Sequence, residues 1–341
     1  DRLPWHPVVL PRSNLPNVSR PVSYVRSKSL LPFLFFPFSL ASGAISRLFS
    51  VCMAKILLCD GHNLAFRAFY GITELSRSDG FPTNMIHGWL RTFWRLEDDE
   101  KPDVVRVYFD KGAPARRVNL LPEYKANRGA SPEPFKQQLP WVKQLTVALG
   151  YTSEERDGLE ADDLIAAAAV TLAEQNQEVL IVSADKDLSQ LICPGVRQLL
   201  PPPTANPRIG WRTLDVAGVR DKFGVPPERI LDYLALIGDT SDNIPGLPGV
   251  GPKTAVKWLS EHGTLEKVIE NAGRLTPKRF CSIVYENQEI LRRNIELVRL
   301  EHDIEIDLST PPPPNLQALR EILTEMEMHR SIEEAERRYA S

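Results

Sequence analysis

Three apolar stretches of this 341-residue chain run into an aspartate: Lys55 to Asp60, Val104 to Asp110 and Val179 to Asp185. A fourth segment, Gly158-Leu159-Glu160-Ala161-Asp162-Asp163, sets three acids just ahead of the alanine run Ala166 to Ala169. Asp187 lies two residues after Asp185, and Asp239 and Asp242 share the stretch Gly238 to Asn243. A single acid at a helix start is ordinarily a cap or a dipole partner. A gathering of them is another matter, because unit like charges about 4 Å apart repel by about 4 kcal/mol even at an effective dielectric near 20. Divalent cations are the natural remedy, and oxygen donors without a Cys/His set select Mg²⁺ or Mn²⁺ over zinc. Two such ions about 4 Å apart would stabilise both the attacking and the leaving oxygen of a phosphodiester. The chemistry indicated is phosphodiester hydrolysis.

The strands and helices that carry these acids are legible too. Short β-rich runs alternate with longer helical patterns, the signature of a parallel sheet flanked by helices. In such sheets ligands collect outside the carboxyl ends of the strands, so strands ending in Asp60, Asp110 and Asp185 line one rim with carboxylates. Basic groups follow the second strand: Arg116-Arg117, then Pro122-Glu123-Tyr124-Lys125-Ala126-Asn127-Arg128. Cations there would grip a scissile phosphate and offset charge developing on it, while Tyr124 would either stack or pack. The glycine-rich stretch Gly246 to Ala255 is no ATP loop, since Pro252 separates Gly251 from Lys253 and no strand leads in. Glycines that let backbone N–H groups approach an anion, followed by Lys253 and Lys257, read as a hairpin between helices that holds a nucleic-acid phosphate. Beyond it helices are expected over 252–261, 265–271 and 277–298. Pro311 to Pro314 reads as a stiff connector before a last amphipathic helix over 316–328.

A formal net charge of −3 supplies no global basic field, so a nucleic-acid partner must be held locally. Cys52, Cys59, Cys193 and Cys281 form no C-x-x-C pair, which disfavours a zinc cage and a disulfide scaffold and fits a reducing, cytoplasmic setting. The apolar run Leu30 to Leu40 is too short to cross a bilayer and carries two prolines, so no membrane partner is expected. Composition changes at Met53, where an Arg/Ser/Pro-rich leader gives way to strand-like sequence. Residues 1–52 are expected to lie outside the fold, as translated upstream sequence, an organellar transit peptide or a signal-like segment.

From Met53 onward the chain resembles the bacterial 5'-3' exonuclease/flap endonuclease family, the type found as the amino-terminal nuclease domain of DNA polymerase I and as free-standing enzymes. The likeness is carried by CDGHNLAFRAFYG (59–71), YFDKGAPARRVNLLPEYKANR (108–128), GLEADDLIA (158–166), SADKDLSQL (183–191) and IGDTSDNIPGLPGVGPKTA (237–255). It implies an α/β fold: a PIN-like nuclease domain with a parallel central sheet and a helical arch, over 53–220. A helical domain with a helix-hairpin-helix-like DNA-binding element follows over 221–310, then a Pro-rich connector and C-terminal helix over 311–341. The implied metal ligands are Asp60, Asp110, Glu160, Asp162, Asp163, Asp185, Asp187, Asp239 and Asp242, holding two or more Mg²⁺ or Mn²⁺ ions. Lys125 and Arg128 are implied as the cations that orient the phosphate, with Arg117 a further phosphate contact. Arg67, Tyr124, Gly246, Gly249, Gly251, Lys253, Thr254 and Lys257 are implied DNA contacts, and K⁺ is implied at the hairpin.

The implied partner is DNA with 5' flaps, nicks or branches, including RNA-primed ends, bound by a free-standing monomer. Phe66 and the triplet His87-Gly88-Trp89 stand where many members have Tyr and Tyr-Gly-Phe, so base stacking would fall to Phe66 or Trp89. Arg116 replaces a usual aromatic. Two other readings share many of these residues: a PIN-type ribonuclease, which has no need of the Gly246–Thr254 hairpin, and a protein that binds branched DNA without cutting it.

Overall fold

The computed structural model describes residues 53–203 and 206–340, so the leader 1–52 lies outside the described residues. The first apolar run becomes β1 (Lys55–Asp60), whose residues from Ile56 on are all buried. Asp60 closes the strand, and its side chain accepts a hydrogen bond from the Asn63 N–H at 3.0 Å, capping α1 (Gly61–Gly71). One residue thus ends a strand and starts a helix. α2 (Asn84–Glu100), β2 (Val104–Phe109), α3 (Ala115–Leu120), α4 (Glu133–Ala148), β3 (Thr152–Glu155), α5 (Ala161–Glu174) and β4 (Glu178–Val182) follow. β5 (Val196–Leu200) and β6 (Arg212–Leu214) complete a sheet of order β3-β2-β1-β4-β5-β6, parallel except for β6 at the edge.

The chain leaves β1 toward β2 and β3 and then crosses to β4 on the other side of β1. That reversal of strand order opens a crevice at the carboxyl ends of β1 and β4, where ligands bind in open α/β sheets. Side chains alternate along each strand. Leu57, Cys59, Val107, Phe109 and Val182 face α1, α2 and α4, whereas Ile56, Leu58, Tyr108 and Ile181 face α5. Burial on both faces accounts for the unbroken apolar runs.

The remaining elements are helical: α6 (Val216–Phe223), α7 (Ile230–Ile237), α8 (Pro252–His262), α9 (Leu265–Glu270), α10 (Phe280–Glu286) and α11 (Gln288–Val298). They share a second core containing Trp258, Leu234, Val268, Val284 and Leu291. The single helix expected over 277–298 is two, because Asn287 leaves helical geometry at ψ 15° and separates α10 from α11. Likewise 316–328 holds only α12 (Leu316–Glu325), and a further helix, α13 (His329–Tyr339), follows Glu327 in the left-handed region at φ 55°. Its sequence is too charged to stand out as apolar, but Ala335 packs with Leu319 and Leu323 against the α1–α2–α4 side of the sheet. Among the described residues no helix is long and apolar enough to cross a membrane.

Between α7 and α8 the backbone pairs briefly, β7 (Gly238–Asp239) against β8 (Ile244–Pro245). A Cβ on Gly246 would lie 2.2 Å from the Ile237 carbonyl oxygen, and one on Gly238, at φ 73°, would lie 2.3 Å from the Gly246 nitrogen. Both neighbours are backbone and have no room to yield. Gly246→Ala is expected to cost about 3 kcal/mol, a drop of about 10 °C in a thermal melt. An unchanged melting temperature would show that the hairpin tolerates the extra carbon.

Candidate active site

The β1–β4 crevice is a cleft of about 540 Å³ whose walls include Asp60, Asp110, Asp162 and Asp185, with Arg67, Lys125 and Arg128. Each acid arrives from a different element. Asp60 ends β1 and accepts from Ser183 Oγ at 2.9 Å, so the loop after β4 is tied to the end of β1. Asp110 follows β2 and accepts from the Ala161 N–H at 2.8 Å, which fixes the start of α5 and with it Asp162. Asp185 lies three residues past β4 rather than at its end, and accepts from the Asp187 N–H at 2.9 Å. The Asp110 N–H donates to His62 Nδ1 at 3.1 Å, and burial lowers the pKa of this imidazole.

Burial and mutual repulsion act on these acids as expected of a site built for cations. Burial, then the neighbouring Asp110, pushes the Asp60 carboxyl up to about 7. Asp162 is driven well above the carboxylate range by burial, then by Asp185 and Asp60. Asp185 is raised chiefly by burial. A second group adjoins the first: carboxylate oxygens of Asp187, Asp239 and Asp242 all lie within 4.8 Å of one another. Among the described residues Asp187 Oδ1 is buried with no hydrogen-bond partner, and its carboxyl is pushed far up by burial and by Asp185. A buried carboxylate oxygen without a donor is costly unless a cation takes that place. The residues present therefore fit a divalent ion.

The protein's own cations already lean on this cluster. Lys186 Nζ sits 2.8 Å from Asp239 Oδ2, and despite burial this contact and Ser241 hold Asp239 below its ordinary value. Arg128, half exposed, donates to Asp242 Oδ1 at 2.6 Å, and Lys125 Nζ lies 3.7 Å from Asp242 Oδ2 while also pairing with Glu160. Lys186 stands inside Ser183-Ala184-Asp185-Lys186-Asp187, and like Ser183 and Ser241 it carries no sequence signal beyond its place beside the acids.

Several expectations are corrected by burial. Arg117 is not free to touch a phosphate: it is 3% exposed, and all its donors are taken. Nε donates to the Leu297 carbonyl, Nη1 to Glu160 Oε2 and Asp163 Oδ2, and Nη2 to Asp163 Oδ1 and the Arg299 carbonyl. Asp163, 1% exposed, spends both oxygens on Arg117 and on the Glu301 N–H, so it faces away from the cleft and is no metal ligand there. Glu160 is shared by Arg117, Lys125 and Tyr124 and stands behind the cluster. Tyr124, expected at DNA, is buried with its hydroxyl donating to Asp242 Oδ2 at 2.9 Å. Trp89 is fully buried in the core and offers no face for stacking. Gly246 is required by the β7–β8 packing described above. Gly249, at φ 75°, and Gly251, where a Cβ would meet nothing within 4 Å, remain at the exposed turn before α8 with Lys253 and Lys257. Thr254 stands beside them, half-buried. Arg116 adds no free charge to its loop, because it pairs with Glu301 and donates to the carbonyls of Glu296 and Arg299.

The raised Asp60 value carries a signed consequence for stability. A carboxyl that titrates near 7 folded and near about 4 unfolded binds its proton more tightly in the folded state, so metal-free protein loses stability as pH rises between those values. A bound cation takes over the proton's role. Mg²⁺ is therefore expected to raise the melting temperature several degrees more at about pH 8 than at about pH 5, read by parallel melts with EDTA. An increment independent of pH would contradict proton–metal exchange at these acids.

Known proteins resemble this chain over most of the described region. The family model described as 5'-3' exonuclease, N-terminal resolvase-like domain, matches residues 55–224, and that described as 5'-3' exonuclease, C-terminal SAM fold, matches residues 225–335. A 5'-3' exonuclease of Aquifex aeolicus is 35% identical over 289 residues, covering 84% of this chain and 96% of that protein. The thermostable DNA polymerase I of Thermus caldophilus is 36% identical over 276 residues, 80% of this chain, but the match spans only 32% of the polymerase. Among solved structures, a bacteriophage T5 flap endonuclease complex with DNA and metal ions superposes with a TM-score of 0.62 at 22% identity, over 82% of this chain and 98% of that one. The catalytic core of Rad2 with DNA substrate gives 0.58 at 14% identity, over 82% and 91%. These two likenesses concern the fold.

Proposed function

This chain belongs to the 5'-3' exonuclease family, and on that premise we propose that it hydrolyses DNA phosphodiesters beside single-strand/duplex junctions, using Mg²⁺ or Mn²⁺. The observation that carries the reading is the pair of adjoining carboxylate groups at the β1–β4 crevice, one of them with a buried oxygen that has no donor. Asp60, Asp110, Asp162 and Asp185 would hold one ion, and Asp187, Asp239 and Asp242 a second. Divalent ions held there would supply a nucleophilic water at neutral pH and offset charge on the phosphate.

The chain's own groups do the rest. Arg128, exposed and held among the described residues only by Asp242 and the Ser241 carbonyl, is free to turn onto an arriving phosphate. Lys125, steadied by Glu160 beneath it, keeps its charge: burial works against the ammonium, but Glu160 and Asp242 outweigh it and raise its pKa. Arg117 and Tyr124 lock Glu160 and Asp242 and so position both cations. The turn at Gly249 and Gly251, with Lys253, Thr254 and Lys257, would take the phosphates of the adjoining duplex, with K⁺ held by backbone oxygens.

The test is a 5'-labelled flapped DNA incubated with Mg²⁺ or with EDTA, beside a single-stranded RNA of matched length. Cleavage of the flap in Mg²⁺ alone, well above that of the RNA, is the expected result. Product in EDTA would refute metal dependence, preferential cutting of the RNA would favour a ribonuclease, and tight flap binding without product would leave a binding protein.

A further inference from the structure

The three carboxylates of the Asp187–Asp239–Asp242 group are not equally open to a ligand. Asp239, 4% exposed, accepts at Oδ1 from the Ser241 N–H at 2.9 Å and from the Ser241 hydroxyl at 2.6 Å, while Lys186 Nζ sits on Oδ2 at 2.8 Å. Asp242 accepts at Oδ1 from Arg128 and at Oδ2 from the Tyr124 hydroxyl. Asp187 keeps a buried oxygen, Oδ1, with no partner among the described residues. Two of the chain's own cations thus already neutralise part of the group, and they are held differently. Arg128 reaches in from an exposed loop. Lys186 is half-buried between Asp185 and Asp187 in the chain, and the charges of Asp239, Asp187 and Asp185 all act on it.

An ion joined to all three carboxylates would need an oxygen of Asp239. Ser241 fills both lone-pair positions of Oδ1, so the ion would come to Oδ2, where the ammonium sits. A divalent ion and an ammonium about 4 Å apart repel twice as strongly as two unit charges. One of them has to leave. Resting on the metal-dependent reading given above, we propose that Lys186 is a resident counter-ion holding the place of the second divalent ion, so that loading this group exchanges the ammonium for the metal. In the metal-free protein Lys186 spares Asp239 the cost of a buried, unpaired charge. The same contact weakens the affinity of the group for its ion, because every ion bound must first break it.

The test is Mn²⁺ binding to the DNA-free protein, with free Mn²⁺ counted by electron paramagnetic resonance. Lys186→Met should tighten the weaker of two ions about tenfold, whereas Lys186→Arg, which keeps the charge, and Lys222→Gln should leave it within about twofold. Lys222 controls for the general field: it is exposed, feels Lys186 and Asp185 through space, and has no carboxylate partner among the described residues. A second measurement does not depend on whether Lys186→Met folds. With the lysines of the natural protein reductively dimethylated with ¹³C, which keeps their charge, the Lys186 signal is assigned by its absence from Lys186→Arg and should shift as Mg²⁺ is added. An equal gain from Lys222→Gln, unchanged or weaker Mn²⁺ binding by Lys186→Met, or a Lys186 signal that Mg²⁺ leaves in place overturns the exchange, while two bound ions keep the metal-dependent reading. Fewer than two ions on the natural protein and on folded Lys186→Met alike removes the second site and the exchange with it.

Discussion

Asp185→Asn is expected to lower kcat on a flapped DNA by about a thousandfold or more, with no loss of thermal stability. The side chain sits where the two acid groups meet: it repels Asp60 and Asp162 on one side and feels Asp239 and Asp242 on the other. Asparagine keeps the size and the oxygen that accepts from the Asp187 N–H, so the loop after β4 has no reason to move. What would be lost is one negative charge beside both proposed cation sites, and the electrostatic stabilisation of a phosphoryl transition state is worth several kcal/mol. Because burial already raises the pKa of Asp185, neutralising it relieves repulsion in the metal-free protein, and the melting temperature in EDTA should hold or rise. Single-turnover cleavage and melts in EDTA check both halves. Retention of wild-type kcat would sink the shared-cation site.

Arg117→Met is expected to act on folding first. The guanidinium donates to two carboxylates and two carbonyls inside the protein, and Glu160 and Asp163 are only 5% and 1% exposed. Removing the cation leaves buried negative charge without its main partner, at a cost of about 3–5 kcal/mol. For a chain of this size that is a fall of about 10 °C in melting temperature. Pairing it with Asp163→Leu should recover much of the loss, since the second change removes a stranded charge. A phosphate-binding arginine would behave in the opposite way, with weaker DNA binding and an unaltered melt. The double-mutant cycle therefore separates a structural role from a contact with substrate.

The contrast between these residues shows where sequence reasoning stops. Acids at the ends of apolar runs were readable because a parallel strand buried on both faces has to be apolar until it leaves the sheet. Asp60 and Asp110 stand where that logic puts them, and Asp185 only three residues beyond its strand. Asp162 and Asp163 are indistinguishable by type and by motif, yet one lines the cleft and the other is sealed behind it. Arg117 and Arg128 likewise both read as cations over the acid rim, and only Arg128 reaches solvent.

Residue types and their order are enough to say which chemistry is available: carboxylates without histidine or cysteine ligands, arranged on an α/β pattern whose strand order would gather them. Which side chains face the crevice depends on the packing of distant segments. Successive residues on a helix point about 100° apart, so adjacent acids diverge. A buried carboxylate then needs a donor from some distant segment, here Arg117 for Asp163 and Lys186 for Asp239, a pairing that no local spacing records.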